Sequence, residues 1–341
     1  MFQWKELVYA GLLSTPARRW LRAPVPSDHI AVLMYHELAR DDADIEAWTV
    51  MRESDFVRQL EFLVRHYDVV SLDHVLGRVK SPKASRRPRV VITFDDGDRG
   101  NATVLLPIIE AFKVPVTIYI ATRQVADAKS YWFDRIINAL QTNQAATVDL
   151  RAYGLGTYRI NRVRGEKNWH WISCLLEDLK SLAPEIREAA VESVLGGLPP
   201  AEHARGSQIE PLSVGQVTSL ATSPYITIGA HSHCHNILSQ LKPAEIEQSI
   251  RLSKSLLENW TGRPVDHFAY PDGVYNDTVS EIVRRAGFRS AVMTEPTLWR
   301  DGDSSFGIPR IGVGRYDSLE RFKLNLIGGV RGFFPWRRHA A

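Results

Sequence analysis

The stretch RVVITFDDG, residues 89–97, places a continuous apolar and β-branched run directly before two carboxylates and a glycine. A run of this length and composition predicts a strand buried on both faces, as in a parallel sheet. Gly97 allows the chain to turn sharply where the strand ends. In α/β barrels this carboxyl edge is where catalytic side chains collect. We therefore expect Asp95 and Asp96 at the rim of a barrel.

Strands and helices alternate on both sides of this stretch. Short apolar runs predict three further buried strands, at 30–35, 114–121 and 225–231. Amphipathic patterns predict helices that start near Ser54, Asn101, Pro243 and Asn276. Ser54 is the expected N-cap of the first, and Gly262 is the expected stop of the third. Strands separated by helices indicate parallel βαβ units and an α/β fold.

Residues 130–212 interrupt this alternation. They contain the helical pattern YWFDRIINAL, a glycine-punctuated segment that suits a hairpin, and two further helical stretches. Because the segment separates two otherwise similar units, we interpret it as an insertion in one βα loop. The main domain is then expected over 29–315. An amphipathic segment (1–28) precedes it, and a C-terminal helix with a basic-aromatic tail (316–341) follows.

Composition excludes several classes of protein. Of 341 residues, 44% are hydrophobic and 24% charged, which is typical of a globular chain and not of a disordered one. The net charge of +3 is too small to indicate a nucleic-acid partner, and the basic run 80–89 is expected to be a solvated loop. Two cysteines do not make a disulfide framework, which favours a reducing compartment.

The two ends of the chain combine aromatic and basic residues. Trp4 and Trp20 lie among lysine and arginine residues in 1–22, and FFPWRR occurs near the C-terminus. This pattern suits a helix on a membrane surface, although a helix packed on its own domain is an equal alternative. No apolar run is long enough to span a bilayer, and no export signal is evident. We therefore expect a cytoplasmic protein, and the two interpretations of its termini leave peripheral attachment to the inner face of the membrane as one of two alternatives.

The stretch HSHCH, residues 231–235, is a candidate metal site. If it forms a helical turn, His231 and His235 project from one face, and His233 and Cys234 from others. Two imidazoles and one carboxylate with an open position form a common catalytic zinc set. On an extended backbone, adjacent aspartates point to opposite sides, so one can bind a cation while the other faces substrate. Spacing alone does not choose between Asp95 and Asp96.

Three motifs in this order, TFDDG (93–97), HSxxH (231–235) and FAYPDG (268–273), resemble those of the NodB-type polysaccharide deacetylases, carbohydrate esterase family 4. The resemblance covers about 29–315. MYHEL (34–38) most resembles the branch that contains poly-N-acetylglucosamine deacetylases. The resemblance implies a deformed (β/α) barrel and a divalent metal, usually Zn²⁺, with Co²⁺ or Ni²⁺ as alternatives.

The resemblance also implies a role for individual residues. It implies three metal ligands: Asp96, His231 and His235. Asp95 would be the general base, the backbone N–H of Asp272 would stabilise the oxyanion, and His36 would be the general acid that protonates the departing amine.

The sequence departs from the family pattern at several positions. Ala269 replaces the arginine that opens the third motif in many relatives, so we expect Arg310 in GIPRIGV to orient the base instead. The late Leu-x-His motif is absent after residue 300, which agrees with a general-acid role for His36. Asp98 stands where relatives often have an aromatic residue, which predicts a more acidic mouth.

These observations predict a metal-dependent hydrolase that removes the N-acetyl group from an amino sugar, in a polysaccharide or a lipid-linked glycan intermediate. One alternative is a deformylase or other amide hydrolase acting on a lipid-linked amino sugar. Another is a barrel that binds glycan without catalysis. The expected partners are an N-acetylated glycan or lipid-linked amino sugar and a membrane surface, with no nucleic acid.

Overall fold

A computed structural model describes residues 28–45, 47–79, 87–142, 146–160, 166–198 and 209–328. The predicted amphipathic segment lies outside the described residues except for Asp28, and so does the tail beyond Gly328. Within the described ranges no helix combines the length and apolar composition needed to cross a bilayer.

Strands run through the whole described chain. Their bounds are β1 His29–Tyr35, β2 Glu37–Ala39, β3 Val50–Arg52, β4 Asp68–Val69, β5 Arg89–Phe94, β6 Val116–Ile120, β7 Ala146–Asp149, β8 Thr157–Ile160, β9 Ile226–Ala230, β10 His267–Ala269, β11 Ser290–Val292, β12 Trp299–Arg300 and β13 Ile311–Gly312.

Helices lie between most of these strands. Their bounds are α1 Glu53–His66, α2 Leu72–Val75, α3 Leu106–Phe112, α4 Thr122–Asp127, α5 Trp132–Thr142, α6 Glu166–Lys180, α7 Pro184–Gly197, α8 Val214–Leu220, α9 Pro243–Thr261, α10 Asp277–Arg285 and α11 Leu319–Asn325. One π-helical turn, Asn101–Leu105, leads into α3.

Nine strands form one sheet in the order β11-β10-β9-β6-β5-β1-β12, with β4 added beside β5 and β13 beside β1. All pairs are parallel except β1 with β12. The segment 308–313 joins the two edges, because Ile308 bridges to Val292 of β11 while β13 pairs with β1. The predicted α/β fold is confirmed as the deformed (β/α) barrel.

Side chains alternate between the two faces of the sheet. Val32, Val91 and Tyr119 belong to a small buried cluster on the inner face, whereas their neighbours along each strand pack in the large core beneath the helices. Tyr119 fills the interior because Gly229 on the next strand has no side chain: a Cβ there would lie 2.4 Å from the Tyr119 ring. The same alternation turns Thr93 and Asp95 inward, in line with Val91.

The interrupting segment 130–212 has a core of its own. A hairpin of β7 and β8 packs with α5, α6 and α7 around a separate cluster of buried apolar residues. Ile45 and Ala47, from the loop between β2 and β3, and Val50, the first residue of β3, complete this cluster. The insertion is therefore a subdomain attached to the barrel rim, containing both helices and a hairpin.

Two helix ends test the capping predictions. Helix α9 spans Pro243–Thr261 and stops at Gly262, which adopts φ 65°, as predicted. The predicted cap at Ser54 is wrong: α1 starts at Glu53, and Arg52 occupies the N-cap without a side-chain bond. The Ser54 N–H instead donates to Asp41 Oδ1 at 3.1 Å.

Candidate functional site

The two aspartates of TFDDG lie directly beyond β5 and are both buried. Asp95 continues the strand, and its N–H donates to the Tyr35 carbonyl of β1 at 2.9 Å. Asp96 adopts φ 74° and Gly97 φ 84°, so the chain turns at once. The expectation of two aspartates on an extended backbone is therefore wrong for Asp96. Its left-handed conformation, which costs about 1–3 kcal/mol, aims the carboxylate.

The histidine motif forms a loop beyond β9 and not the expected helical turn. His231 is the next inward-facing residue after Gly229. Ser232 and His235 then take left-handed conformations, with φ 62° and 54°. The Ser232 hydroxyl accepts a hydrogen bond from the His235 N–H at 3.1 Å. The two imidazoles thus converge because the backbone folds back on itself.

Asp96, His231 and His235 come together although more than 130 positions separate the first from the others. One ligand-type atom from each lies within 4.8 Å of the others. Asp96 Oδ1 is 3.2 Å from His235 Nε2 and 3.5 Å from His231 Nε2. The His231 Nδ1–H donates to the Ala269 carbonyl at 2.8 Å, which leaves Nε2 as the electron-pair donor.

Electrostatics keep this cluster in the form that binds a cation. Burial lowers the pKa of His231 to about 4, so the ring is neutral near neutral pH. Burial alone would raise the pKa of Asp96, but the hydrogen bond and charge of His235 outweigh it and hold the pKa below its ordinary value.

The insertion contributes directly to this cluster, which sequence reasoning missed. The rings of Tyr131 and Phe133 pack against His235 at centroid distances of 5.2 and 5.5 Å. The Tyr131 hydroxyl donates to the Asp96 carbonyl at 2.6 Å. The aromatic residues that begin YWFDRIINAL were the sequence feature that could have indicated this contact.

Arg310 binds the other aspartate. Its Nη1 and Nη2 donate to Asp95 Oδ1 and Oδ2, each at 2.6 Å, and Nη1 also donates to the Thr93 hydroxyl. Both side chains are almost fully buried. Burial alone would raise the pKa of Asp95, but the charge of Arg310 holds it below its ordinary value. The sequence-based expectation that Arg310 contacts Asp95 agrees with this geometry.

His36 directly follows β1 and lies at the same rim. Its ring packs edge-on against Trp48 at 5.8 Å, and its Nδ1 is buried without a hydrogen-bond partner. A charge on His36 contributes to the lowered pKa values of Asp95 and Asp96, which places the imidazole near both. An imidazole so placed can hold or release a proton beside the cluster.

The third motif follows β10, next to His231. Asp272 adopts φ 59° in a short turn at 271–273. Its Oδ1 accepts a hydrogen bond from Lys180 at 2.8 Å, and Lys180 also pairs with Glu177 at 3.1 Å. Lys180 ends helix α6 of the insertion, so the insertion holds this turn by an ion pair that spans 92 positions.

Three further carboxyl groups are buried at the rim: Glu37, Asp98 and Asp134. Burial raises the pKa of Glu37 to about 8, and burial followed by neighbouring carboxylates raises the pKa of Asp98 and Asp134 well above the ordinary value. Burial thus favours the neutral form of all three carboxyl groups. Asp98 is buried at the rim, and its effect on the acidity of the mouth stays a prediction.

His233 and Cys234 lie outside the cluster. His233 Nδ1 is 2.9 Å from the Thr122 hydroxyl, and Cys234 Sγ is 3.9 Å from Arg123 Nη1. Both side chains thus contact α4 and face away from Asp96. All other predicted site residues lie at or next to one rim of the barrel, formed by the ends of β1, β5, β9 and β10 and the segment 308–313.

Comparison with protein families identifies this architecture. The model of the polysaccharide deacetylase family matches residues 83–152 and 201–291, which include the TFDDG, HSxxH and FAYPDG stretches. The chain belongs to the polysaccharide deacetylase family. Its members are hydrolases that act on N-acetylated sugars and generally depend on a metal. Among curated proteins no match was found.

Solved structures share the fold of this polysaccharide deacetylase. The deacetylase PplD of Streptococcus pyogenes in complex with acetate is 16% identical, with a TM-score of 0.57, and covers 87% of this chain and 98% of its own. A polysaccharide deacetylase of Bacillus cereus is 16% identical at a TM-score of 0.55, covering 87% and 69%. IcaB of Ammonifex degensii is 16% identical at 0.54, covering 90% and 100%.

Proposed function

We propose that this deacetylase binds a divalent metal at Asp96, His231 and His235 and removes the N-acetyl group of an amino sugar. The observation that supports this most is the convergence of these three ligand-type atoms within 4.8 Å, at the rim that also holds the Asp95–Arg310 pair. A silent binding module has no need of four left-handed non-glycine residues around such a cluster.

The residues present fit a metal centre. Two imidazoles and a buried carboxylate whose ligand-type atoms converge on one point are the donor set of a catalytic zinc site. A bound cation would polarise the amide carbonyl and lower the pKa of water at the site. The same donors also accept Co²⁺ or Ni²⁺, and we propose Zn²⁺ as the most suitable ion.

Asp95 is proposed as the general base. It stays ionised because Arg310 holds its pKa low, and the two hydrogen bonds from Arg310 fix the orientation of the carboxylate. A base must face the attacking water within hydrogen-bonding distance, so this orientation has a direct effect on rate. Arg310 therefore acts as a positioning residue.

Two further groups complete the proposed reaction. The backbone N–H of Asp272 donates to the oxyanion that develops on the amide carbonyl, and the 271–273 turn preorganises this donor. His36 gives a proton to the departing amine, which would otherwise leave as an unstable anion. His36 suits this role because its Nδ1 has no competing partner in the described part of the chain.

We propose an N-acetylated glycan as substrate, either a polymer or a lipid-linked intermediate. Similarity to IcaB and to a de-N-acetylase from Aggregatibacter actinomycetemcomitans (14% identity, TM-score 0.53, covering 88% and 100%) supports an N-acetyl group. We also propose that the enzyme acts at the cytoplasmic face of the membrane. Cell fractionation that places the protein in the medium or the periplasm would overturn this location.

Measurement of acetate and free-amine release by the zinc-loaded full chain tests the proposed function. The panel contains N-acetylglucosamine oligomers, nucleotide-linked N-acetylhexosamines and polyprenyl-linked amino sugars, with Asp95→Ala as the matched blank. We expect equal amounts of acetate and amine, lost in the blank. If formate is released from a polyprenyl-linked formamido sugar and no acetate is released from the N-acetylated sugars, the enzyme is a deformylase. No release by metal-loaded protein would contradict an enzymatic role.

A further inference from the structure

A cavity of about 480 Å³ lies behind the histidine loop. Helix α4, the start of α5 and the N-terminal turn of α7 surround it, and Cys234 and Asn236 line it from the loop. These two residues flank His235 in the chain, so the cavity adjoins the metal cluster without including its ligands. Its volume is in the range of small-molecule sites.

Arg187 of α7 is the distinctive residue of this cavity. It is only 7% exposed, its guanidinium lies 5.1 Å above the Trp132 ring, and Nη2 donates to Asn236 Oδ1 at 3.0 Å. Within the described part of the chain it forms no ion pair with a carboxylate, and most of its N–H donors have no acceptor. Burial lowers the pKa of Arg187, and the nearby charges of Glu188 and Glu185 offset only part of this effect.

The other charges around the cavity are largely matched. Arg135 pairs with Glu188 at 2.7 Å and with Glu192 at 2.5 Å, and Arg123 pairs with Asp127 at 3.4 Å. Glu185 lines the cavity without bonding to Arg187. A buried arginine that packs on an aromatic ring and is hydrogen-bonded only to an amide leaves its edge available to an anion.

We propose that this cavity is an anion subsite in which Arg187 binds the phosphate group of a phosphate-linked sugar substrate, an inference that rests on the proposed deacetylase function. The guanidinium fork matches two phosphate oxygens, and Trp132 and Asn236 hold it in place. Arg123 and Lys129 line the same cavity, where they pair with Asp127 and Glu188. The phosphate then anchors the substrate beside His235.

Calorimetric titration of the zinc-loaded full chain with pyrophosphate tests the subsite directly. Arg187→Gln removes the cation, whereas Asn236→Asp keeps the hydrogen bond to Arg187 and supplies the missing carboxylate. We expect both variants to bind pyrophosphate at least about tenfold more weakly, about 1.4 kcal/mol. Arg285→Gln, the same charge change at an exposed position of α10, is the matched control and should bind as wild type does.

The merely structural alternative is that Arg187 only holds the histidine loop. Asn236→Asp separates the two roles, because it preserves the contact and neutralises the charge. Unchanged pyrophosphate affinity in Asn236→Asp, with its melting temperature and zinc affinity also unchanged, would overturn the proposal. So would equal competition by acetate, since a general anion site would not prefer phosphate.

Comparison of different substrates shows whether the phosphate belongs to a lipid carrier or to a nucleotide. In both variants we expect the ratio of kcat/KM for phosphate-linked over neutral N-acetylated sugars to fall about tenfold. Tighter Arg187-dependent binding of a polyprenyl phosphate in micelles would identify a lipid carrier, and tighter binding of a nucleotide sugar would identify a nucleotide. Arg187-dependent pyrophosphate binding by a protein that releases no amine would support the subsite and contradict the proposed function.

Discussion

Arg310 binds both carboxylate oxygens of Asp95, with each N–O distance at 2.6 Å, and both side chains are almost fully buried. The arginine comes from the segment 308–313, which joins the two edges of the sheet. Closure of the barrel and orientation of the proposed base therefore depend on the same few residues.

Replacing Arg310 by lysine should lower kcat about 100-fold, because an ammonium group cannot hold the Asp95 carboxylate through two parallel hydrogen bonds. Since Arg310 keeps the pKa of Asp95 low, the acidic limb of the pH–rate profile should move to higher pH. Arg289→Lys, at an exposed ion pair with Asp266, is the control and should change little. A kcat equal to wild type in Arg310→Lys would remove the positioning role.

The metal cluster predicts different outcomes for two neighbouring histidines. His235→Gln should weaken Zn²⁺ binding by at least roughly 100-fold and abolish activity, because it removes a ligand atom 3.2 Å from Asp96 Oδ1. His233→Gln should keep both, since His233 contacts Thr122 outside the cluster. Competition titration with a zinc chelator measures the affinities. Equal losses in the two variants would contradict the assignment of ligands.

If His36 is the general acid, the effect of its removal on kcat should depend on the leaving group of the substrate. His36→Gln should lower kcat on an N-acetylated sugar by about 100-fold or more, while an aryl acetate, whose leaving group needs no proton, should react at a nearly normal rate. Zinc affinity should remain at the wild-type value. Equal loss on the amide and the ester would show that His36 only supports the structure.

The ion pair of Lys180 with Asp272 predicts that the insertion tunes catalysis. Lys180→Met should reduce kcat several-fold, because the turn that holds the Asp272 N–H loses a partner at 2.8 Å. Lys180→Arg should restore most of the rate. Steady-state kinetics with parallel zinc titrations measures both, and a lower zinc affinity without a change in kcat would argue for a different role.

The raised pKa of Glu37 predicts that the metal-free protein loses stability as the pH increases. Its pKa rises from 4.5 to about 8 on folding, so its contribution to stability is present below pH 4.5 and is lost as the pH increases toward 8. Glu37→Gln should abolish this loss, which is on the order of a few kcal/mol at neutral pH. Urea unfolding of wild type and variant between pH 5 and 8 measures it. If the free energy of unfolding has the same dependence on pH in wild type and variant, Glu37 does not titrate in this range.

Sequence alone determined the architecture and the identity of the candidate ligands. The apolar run 89–94 predicted a buried parallel strand. Because the carboxyl ends of parallel strands lie at the same edge of a sheet, TFDDG and HSHCH were expected to lie close together. The motif order then indicated the family. Local composition and spacing thus predicted the strands and the meeting of the motifs, whereas the choice of Asp96 over Asp95 as ligand came from the resemblance to the family.

Tertiary structure decided how the side chains converge. Asp96, Ser232, His235 and Asp272 adopt left-handed backbone conformations that their residue types rarely favour, and the surrounding fold holds them there. The contacts of Tyr131 with Asp96 and of Lys180 with Asp272 join the insertion to the barrel across 35 and 92 positions. The raised pKa of Asp98 and the burial of Arg187 likewise arise only when distant segments pack together.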